Sequence, residues 1–278
     1  MSARKSIDLG DGLRREVSYE ELQSLLAKHR VNTFRSRILL KRYFPTELEA
    51  EDEARLRLLN KQRWDCYVGA TAQDASLVPY RFPHRELEKM ARRPRVNPRR
   101  GSPQNRVSDF TGWIYDVIYG CQLSPEVLME GKSRERHVAK VKRRWPLRSH
   151  SDWESIYCDP LDDKPEALEI SLLTVNGSPL YGAPDYVFRH KATGRIMIVE
   201  IKTSDRELPS DGWPNLRAQL WTYGHIDRFF NSTKDIVLIG EIWGSTPISL
   251  RHTLRWHLSD SNFCEENGKL FEIYQNWV

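Results

Sequence analysis

Between residues 167 and 258 the apolar positions recur with two different periods. ALEISLLTV (167–175), PLYGAPDYVF (179–188) and RIMIVEIKT (195–203) carry apolar residues at strand spacing and over strand lengths. An Asn176-Gly177 pair and a His-Lys-Ala-Thr-Gly stretch separate them, and both are hairpin turn signals. PNLRAQLWTYGHIDRFF (214–230) shifts to helical spacing, with Pro214 near its first turn. DIVLIGEIWG (235–244) and SLRHTLRWHL (249–258) return to strands. A helix, three strands, a helix and further strands predict an α/β fold: a mixed central sheet flanked by helices.

The N-terminal pattern is different. Residues 1–17 read as a polar lead-in, and Ser18-Tyr-Glu-Glu21 has the capping-box form that opens a helix to about Arg30. A second helix is expected over about 33–43, ending at Pro45. Thr46-Glu-Leu-Glu49 repeats the capping signature before a third helix whose leucines and alanines fall at helical spacing. SDFTGWIYDVIYGC (108–121) predicts an amphipathic helix and MEGKSRERHVAKVKRRW (129–145) a basic one. The intervening ARRPRVNPRRGSPQNR (91–106) holds three prolines, which forbid regular structure, so it reads as a loop or linker. Two domains follow: a mainly helical, basic N-terminal region over 1–107, suited to docking a nucleic acid or a protein, and a second domain over 108–278.

Composition adds limits. With 39% hydrophobic residues in 278, the chain can bury a core. No stretch approaches the roughly 20 apolar residues of a membrane helix, and the first residues lack the apolar run of a secretory signal. The expectation is a cytoplasmic protein, nuclear if its source has a nucleus, with no membrane partner. Charge is uneven: residues 1–150 carry 31 Lys and Arg against 19 Asp and Glu, residues 151–278 carry 12 against 19. A basic half of this kind suits a polyanion. Arg92, Arg93, Arg95, Arg99, Arg100 and Arg106 in the proline-rich stretch read either as a phosphate-contacting arm or as a solvated linker. Cys66, Cys121, Cys158 and Cys264 have no ligand spacing, which argues against zinc or an iron–sulfur cluster and for reduced, partly buried thiols.

The chemistry is concentrated in YGAPDYVFRHKATGRIMIVEIKTS (181–204). On a strand, Glu200 and Lys202 share one face while Val199 and Ile201 take the other. Asp185 lies on the neighbouring strand of a hairpin, close enough to converge on Glu200. Two carboxylates in one place repel unless a cation lies between them. Oxygen-only ligation suits magnesium or manganese rather than zinc, with Lys202 as a fixed positive charge beside it.

Pro184-Asp185, fifteen positions, then Glu200-Ile201-Lys202 resembles the PD-(D/E)xK nuclease superfamily, the restriction-endonuclease-like fold. Gln219-Leu-Trp-Thr-Tyr223 is similar to the Gln-x-x-x-Tyr motif of the branch holding lambda-type exonucleases and the nuclease domains of bacterial recombination helicase–nucleases. At i and i+4 on a helix, Gln219 and Tyr223 share a face. Gly131-Lys-Ser-Arg-Glu135 resembles the family's preceding acidic helix motif, with Glu130 and Glu154 as alternatives and His137 nearby. The likeness covers about 110–245 and leaves the first hundred residues unassigned.

The resemblance implies hydrolysis of a phosphodiester bond. Magnesium or manganese would be held by Glu135, Asp185, Glu200 and the backbone carbonyl of Ile201; Lys202 would orient water or stabilise developing charge; Gln219 and Tyr223 would position the strand. Lys132, Arg134, Lys140, Arg143 and Arg144, with the arginine arm, would contact phosphates without reading sequence. The branch implies a DNA exonuclease, with DNA favoured over RNA and a homo-oligomer or protein partner left open. No iron–sulfur cluster is expected. Other readings stand beside it: a noncatalytic nucleic-acid-binding or scaffold protein on the same fold, or a nuclease subunit active only in a defence, repair or mobile-element complex. Ordinary roles also remain open: a surface pair for Glu200 and Lys202, a turn cap for Asp185, helix packing for Gln219 and Tyr223.

Overall fold

A computed structural model of the chain describes residues 4–8, 14–69, 105–119, 136–161, 164–209, 212–233 and 235–278. These group into two compact units, Met1–Gln62 and Arg63–Val278. The division read from sequence at 107/108 follows a stretch, 70–104, that lies outside the described residues.

The first unit begins with strands rather than a lead-in. β1 (Lys5–Asp8) pairs antiparallel with β2 (Arg14–Val17), Ser6 opposite Glu16. Each strand buries a single apolar side chain, Ile7 or Val17, which is too short a pattern to read from sequence. Helix α1 (Tyr19–Lys28) has the expected capping box: Ser18 Oγ accepts from the Glu21 amide at 3.3 Å and Glu21 Oε2 accepts from the Ser18 amide at 2.7 Å. Helix α2 spans Thr33–Tyr43 behind an Asn32 cap. Helix α3 (Pro45–Val68) starts two residues before the Glu47 start that the Thr46 signature implied, because proline's fixed φ and missing N–H suit the first helical position. Tyr19, Leu22, Leu26, Leu40, Phe44 and Leu48 join Ile7 and Val17 in one core.

The second unit is mixed α/β around a five-stranded sheet in the order β3-β6-β7-β8-β9. Its strands are β3 (Trp153–Cys158), β6 (Tyr186–His190), β7 (Ile196–Thr203), β8 (Ile236–Ser245) and β9 (Ile248–His257). Among these five strands only β7 and β8 pair in parallel. That pair is buried on both faces, so its strands read as near-continuous apolar runs. One face carries Ile196, Ile198, Leu238 and Ile242 into the main core, where helix α6 (Pro214–Tyr223) packs on β7 and β8. Helices α4 (Val107–Tyr119) and α8 (Ser261–Trp277) pack against α6. On the other face the last turns of α3 bring Trp64 against Phe188 and Trp153, with ring centroids 5.1 and 6.0 Å apart. A separate hairpin, β4 (Leu168–Val175) and β5 (Ser178–Gly182), turns through Asn176 and Gly177 with φ of 50° and 76°, the left-handed pair that a two-residue turn demands.

Four sequence expectations change. The stretch 179–188 is two strands in different sheets, β5 and β6, separated by Ala183-Pro184-Asp185, since Pro184 has no N–H to continue a ladder. The helix expected over 214–230 stops at Tyr223 and resumes as α7 (Asp227–Phe230). Strand β3 and helix α8 lie where no element was expected. Of the basic helix expected over 129–145, residues 136–144 are helical (α5) and 129–135 lie outside the described residues. No helix among the described residues is long and apolar enough to cross a membrane.

Candidate active site

Strand β7 delivers Glu200 and Lys202 to the face that α6 covers, and α6 presents Gln219 and Tyr223 one turn apart. Lys202 Nζ donates to Glu200 Oε1 at 2.7 Å, and Gln219 Nε2 donates to the same oxygen at 2.8 Å. Gln219 Nε2 also donates to the Tyr223 hydroxyl at 2.9 Å, which in turn donates to the Ala183 carbonyl at 3.1 Å. Tyr223 can lie this close only because residue 182 is glycine: a Cβ there would come within 2.6 Å of the Tyr223 ring and of Val107. The Gly-x-Pro-Asp stretch is therefore fixed from one side by α6.

Asp185 is fixed from the other side. Its Oδ2 accepts from the Ile201 amide at 2.7 Å, and its Oδ1 accepts from Lys142 Nζ at 3.0 Å. The same ammonium donates to Asp159 Oδ2 at 2.8 Å and to the Asp159 carbonyl at 3.2 Å. Lys142 is only 3% exposed and Asp185 only 8%. Burial pulls the Lys142 ammonium down, but Asp185 and Asp159 outweigh it and raise it above the ordinary lysine range.

The two carboxylates are not equally satisfied. Glu200, 6% exposed, spends both its bonds on Oε1, and among the described residues its buried Oε2 has no hydrogen-bond partner; nor has the buried Asp159 Oδ1. Burial foremost, and the charge of Asp185, push the Glu200 carboxyl up to about 7, with Lys202 and Lys142 pulling the other way. Burial and then Glu200 hold the Tyr223 phenol well above its ordinary value, so it remains a donor. All three carboxylates, both lysines and Arg206 line one cavity of about 690 Å3, inside the usual range for ligand sites.

This geometry brings together Asp185, Glu200, Lys202, Gln219, Tyr223 and the backbone of Ile201. Glu135, Glu130, Arg92, Arg93, Arg95, Arg99, Arg100, Lys132 and Arg134 lie outside the described residues. Lys140, Arg143 and Arg144 are exposed on α5, and His137 on the same helix is half-buried. Glu154 is not at the cavity; on β3 it pairs with Arg189 at 2.6 Å. Cys66 and Cys158 are exposed and Cys264 half-buried, all free, so two of the thiols are more open than expected.

Sequence reading missed Lys142 and Asp159. Lys142 sits in KVKRRW, where every cation looks like a phosphate contact. Asp159 sits in CDPLDD, where its neighbours are equally acidic. A faint signal was the spacing of Val138, Val141, Lys142 and Trp145 at i, i+3, i+4 and i+7, which puts Lys142 on the apolar stripe of α5; Val141 and Lys142 are indeed buried there between exposed Lys140 and Arg143.

A divalent cation fits this donor set. The oxygens are hard, one of them is buried without a partner, and Asp185 and Glu200 open on the same cavity.

No protein-family profile matches the sequence, and no curated protein aligns with it. Among solved structures, the crystal structure of SSO0001 aligns with a TM-score of 0.32 and 16% identity, over 70% of this chain and 82% of that one. A likeness that slight carries no argument about fold family or activity.

Proposed function

We propose that the chain is a metal-dependent nuclease with a restriction-endonuclease-like core, cutting phosphodiester bonds of DNA from an end and without sequence preference. The observation that carries this reading is the meeting of Asp185, Glu200 and Lys202 with Gln219 and Tyr223 around a buried, unpartnered carboxylate oxygen. A protein that only binds nucleic acid has no physical reason to bury carboxylates where a phosphate must come.

Asp185, Glu200 and the Ile201 carbonyl would hold magnesium or manganese, which supplies a lowered pKa for water and polarisation of the phosphate. Lys202, anchored on Glu200 and partly exposed at the cavity, would stabilise a phosphoryl oxygen as negative charge develops there. Gln219 keeps Glu200 Oε1 occupied and so leaves Oε2 as the open ligand. Glu200, with its raised pKa, is protonated at mildly acidic pH, and the site then has one carboxylate fewer to offer a cation. Tyr223 locks the backbone at Ala183, two residues from Asp185, so the α6 pair holds the spacing between the carboxylates. Lys140, Arg143 and Arg144 give α5 an exposed basic face for phosphates.

The test is degradation of end-labelled linear DNA, closed circular DNA and RNA of matched length, in magnesium, manganese or EDTA. Linear DNA should be lost in either metal, with circles and RNA spared. Cleaved circles would replace the exonuclease reading with an endonuclease. Intact substrate in every arm would contradict a nuclease that acts on its own.

A further inference from the structure

At the other end of β7 lies a second, smaller cavity of about 180 Å3, lined by Arg195, Arg255, His150, His190, Trp153 and Asp152 among others. At about 3.3 Å per residue, Arg195 is roughly 20 Å along the strand from Lys202. It is a separate site.

The cavity is rich in donors and short of acceptors. Arg255 makes no ion pair among the described residues: its Nη1 donates to the Gly69 carbonyl, and its Nε is buried with no hydrogen-bond partner. A buried guanidinium N–H without an acceptor is costly and calls for a partner. Burial lowers the Arg255 pKa and Arg195 lowers it further; His257 beside them is lowered by burial and then by the same two arginines. These cations are repelling one another. Arg195 is held in place by Asp235, its Nε donating at 2.7 Å.

The histidines complete the set. His190 Nδ1 accepts from the Thr193 amide at 3.2 Å, and His150 Nδ1 accepts from the Asp152 amide at 3.3 Å. With Nδ1 accepting, Nε2 is the ring nitrogen left to donate. Both rings rest on tryptophans, His190 on Trp153 at 5.0 Å and His150 on Trp64 at 5.3 Å between centroids. Asp152 is the acidic side chain at this cavity; its carboxylate is 64% exposed and 3.7 Å from His150 Nδ1.

We propose that this cavity binds a tetrahedral oxyanion of the phosphate class, with Arg255 as its main partner. A fork of N–H donors matches a phosphate, and a space below the usual 300 Å3 of organic-ligand sites suits one phosphoryl group rather than a whole nucleotide. The site could take free phosphate or the terminal monophosphate of a nucleotide chain. It does not depend on the nuclease reading.

The experiment uses the full chain. The 1H–15N resonance of Arg255 Nε is followed while inorganic phosphate, the dinucleotide pTpT or unphosphorylated TpT is added at constant ionic strength, with chloride as the control. A saturable shift of that resonance with phosphate or pTpT, absent with TpT and chloride, is expected, and the better of the two ligands names the source. The variants lack that resonance, so their binding is measured by calorimetry with the better ligand, beside the wild type: Arg255→Gln should weaken it at least tenfold and Arg255→Lys less. No saturable shift in the wild type overturns the proposal, as does undiminished binding by a folded Arg255→Gln protein. If Arg255→Gln does not fold, the wild-type resonance alone decides.

Discussion

Glu200 concentrates the physical tension of the molecule. Its carboxyl is buried with one oxygen unpartnered, and its pKa is raised to about 7 from an ordinary value of 4.5. A carboxyl with a raised folded-state pKa stabilises fully below its unfolded pKa, and that contribution is lost as pH rises through the folded one. In EDTA, therefore, the protein should lose stability between about pH 4.5 and 7, by on the order of 2–3 kcal/mol from this group. Urea denaturation of wild type and Glu200→Gln across that range checks this: the difference between them should change with pH in that direction, and a constant difference would contradict it. Lys142 occupies Asp185 Oδ1, so Lys142→Met should bind magnesium more tightly than wild type in calorimetry, having lost a competing cation. Gly182→Ala should cost about 1–3 kcal/mol, because its methyl group meets the Tyr223 ring and Val107. At this scale Glu200, Lys202, Gln219 and Tyr223 were legible, since strand alternation and i,i+4 spacing fix their faces; Asp185 was legible as a neighbour of Glu200, but it lies just before β6 rather than on a strand. Lys142 and Asp159 were not, because their partners are remote in sequence and their neighbours carry the same charge.

The elements explain why the site has its shape. The parallel pair β7 and β8 is joined through α6, so the strand with Glu200 and Lys202 and the helix with Gln219 and Tyr223 are consecutive in sequence and adjacent in space. Their periodicity was clear from the sequence. The break at Ala183-Pro184-Asp185 was not, because apolar residues continue on both sides of it while the chain changes sheet. Beneath the opposite face, Arg63 on α3 and Glu241 on β8 form an ion pair with no exposure on either side chain, Nε to Oε1 at 2.7 Å and Nη2 to Oε2 at 2.8 Å. Tyr67 and Trp243 also donate to Glu241, and Arg63 Nη1 donates to the Trp145 carbonyl. Glu241 is the register partner of Ile201, so this network braces the strand that carries the candidate site. Arg63→Met should destabilise by about 3–5 kcal/mol, since it leaves a buried charge unpaired, whereas Arg63→Met with Glu241→Leu should recover part of the loss. Denaturant titration of the two proteins measures this, and equal losses would mean that the charge pair is not what counts.

On the scale of the whole molecule, the excess of basic charge in residues 1–150 and of acidic charge in 151–278 was visible in the sequence, as was the α/β class of the second unit. The three helices of the first unit were also visible, but its strands β1 and β2 were not, since each rests on one buried residue. A polyanion drawn to the basic half would account for the asymmetry, and under the proposed function that polyanion is the substrate of the candidate site. The claim that joins them is that Lys202 acts on a phosphodiester. The most direct measurement is single-turnover cleavage of labelled linear DNA by wild type and Lys202→Ala at saturating magnesium, with metal binding followed in parallel by calorimetry. Lys202→Ala should still bind magnesium but cleave at least a hundredfold more slowly. Cleavage at an undiminished rate, or none by the wild type, would contradict it.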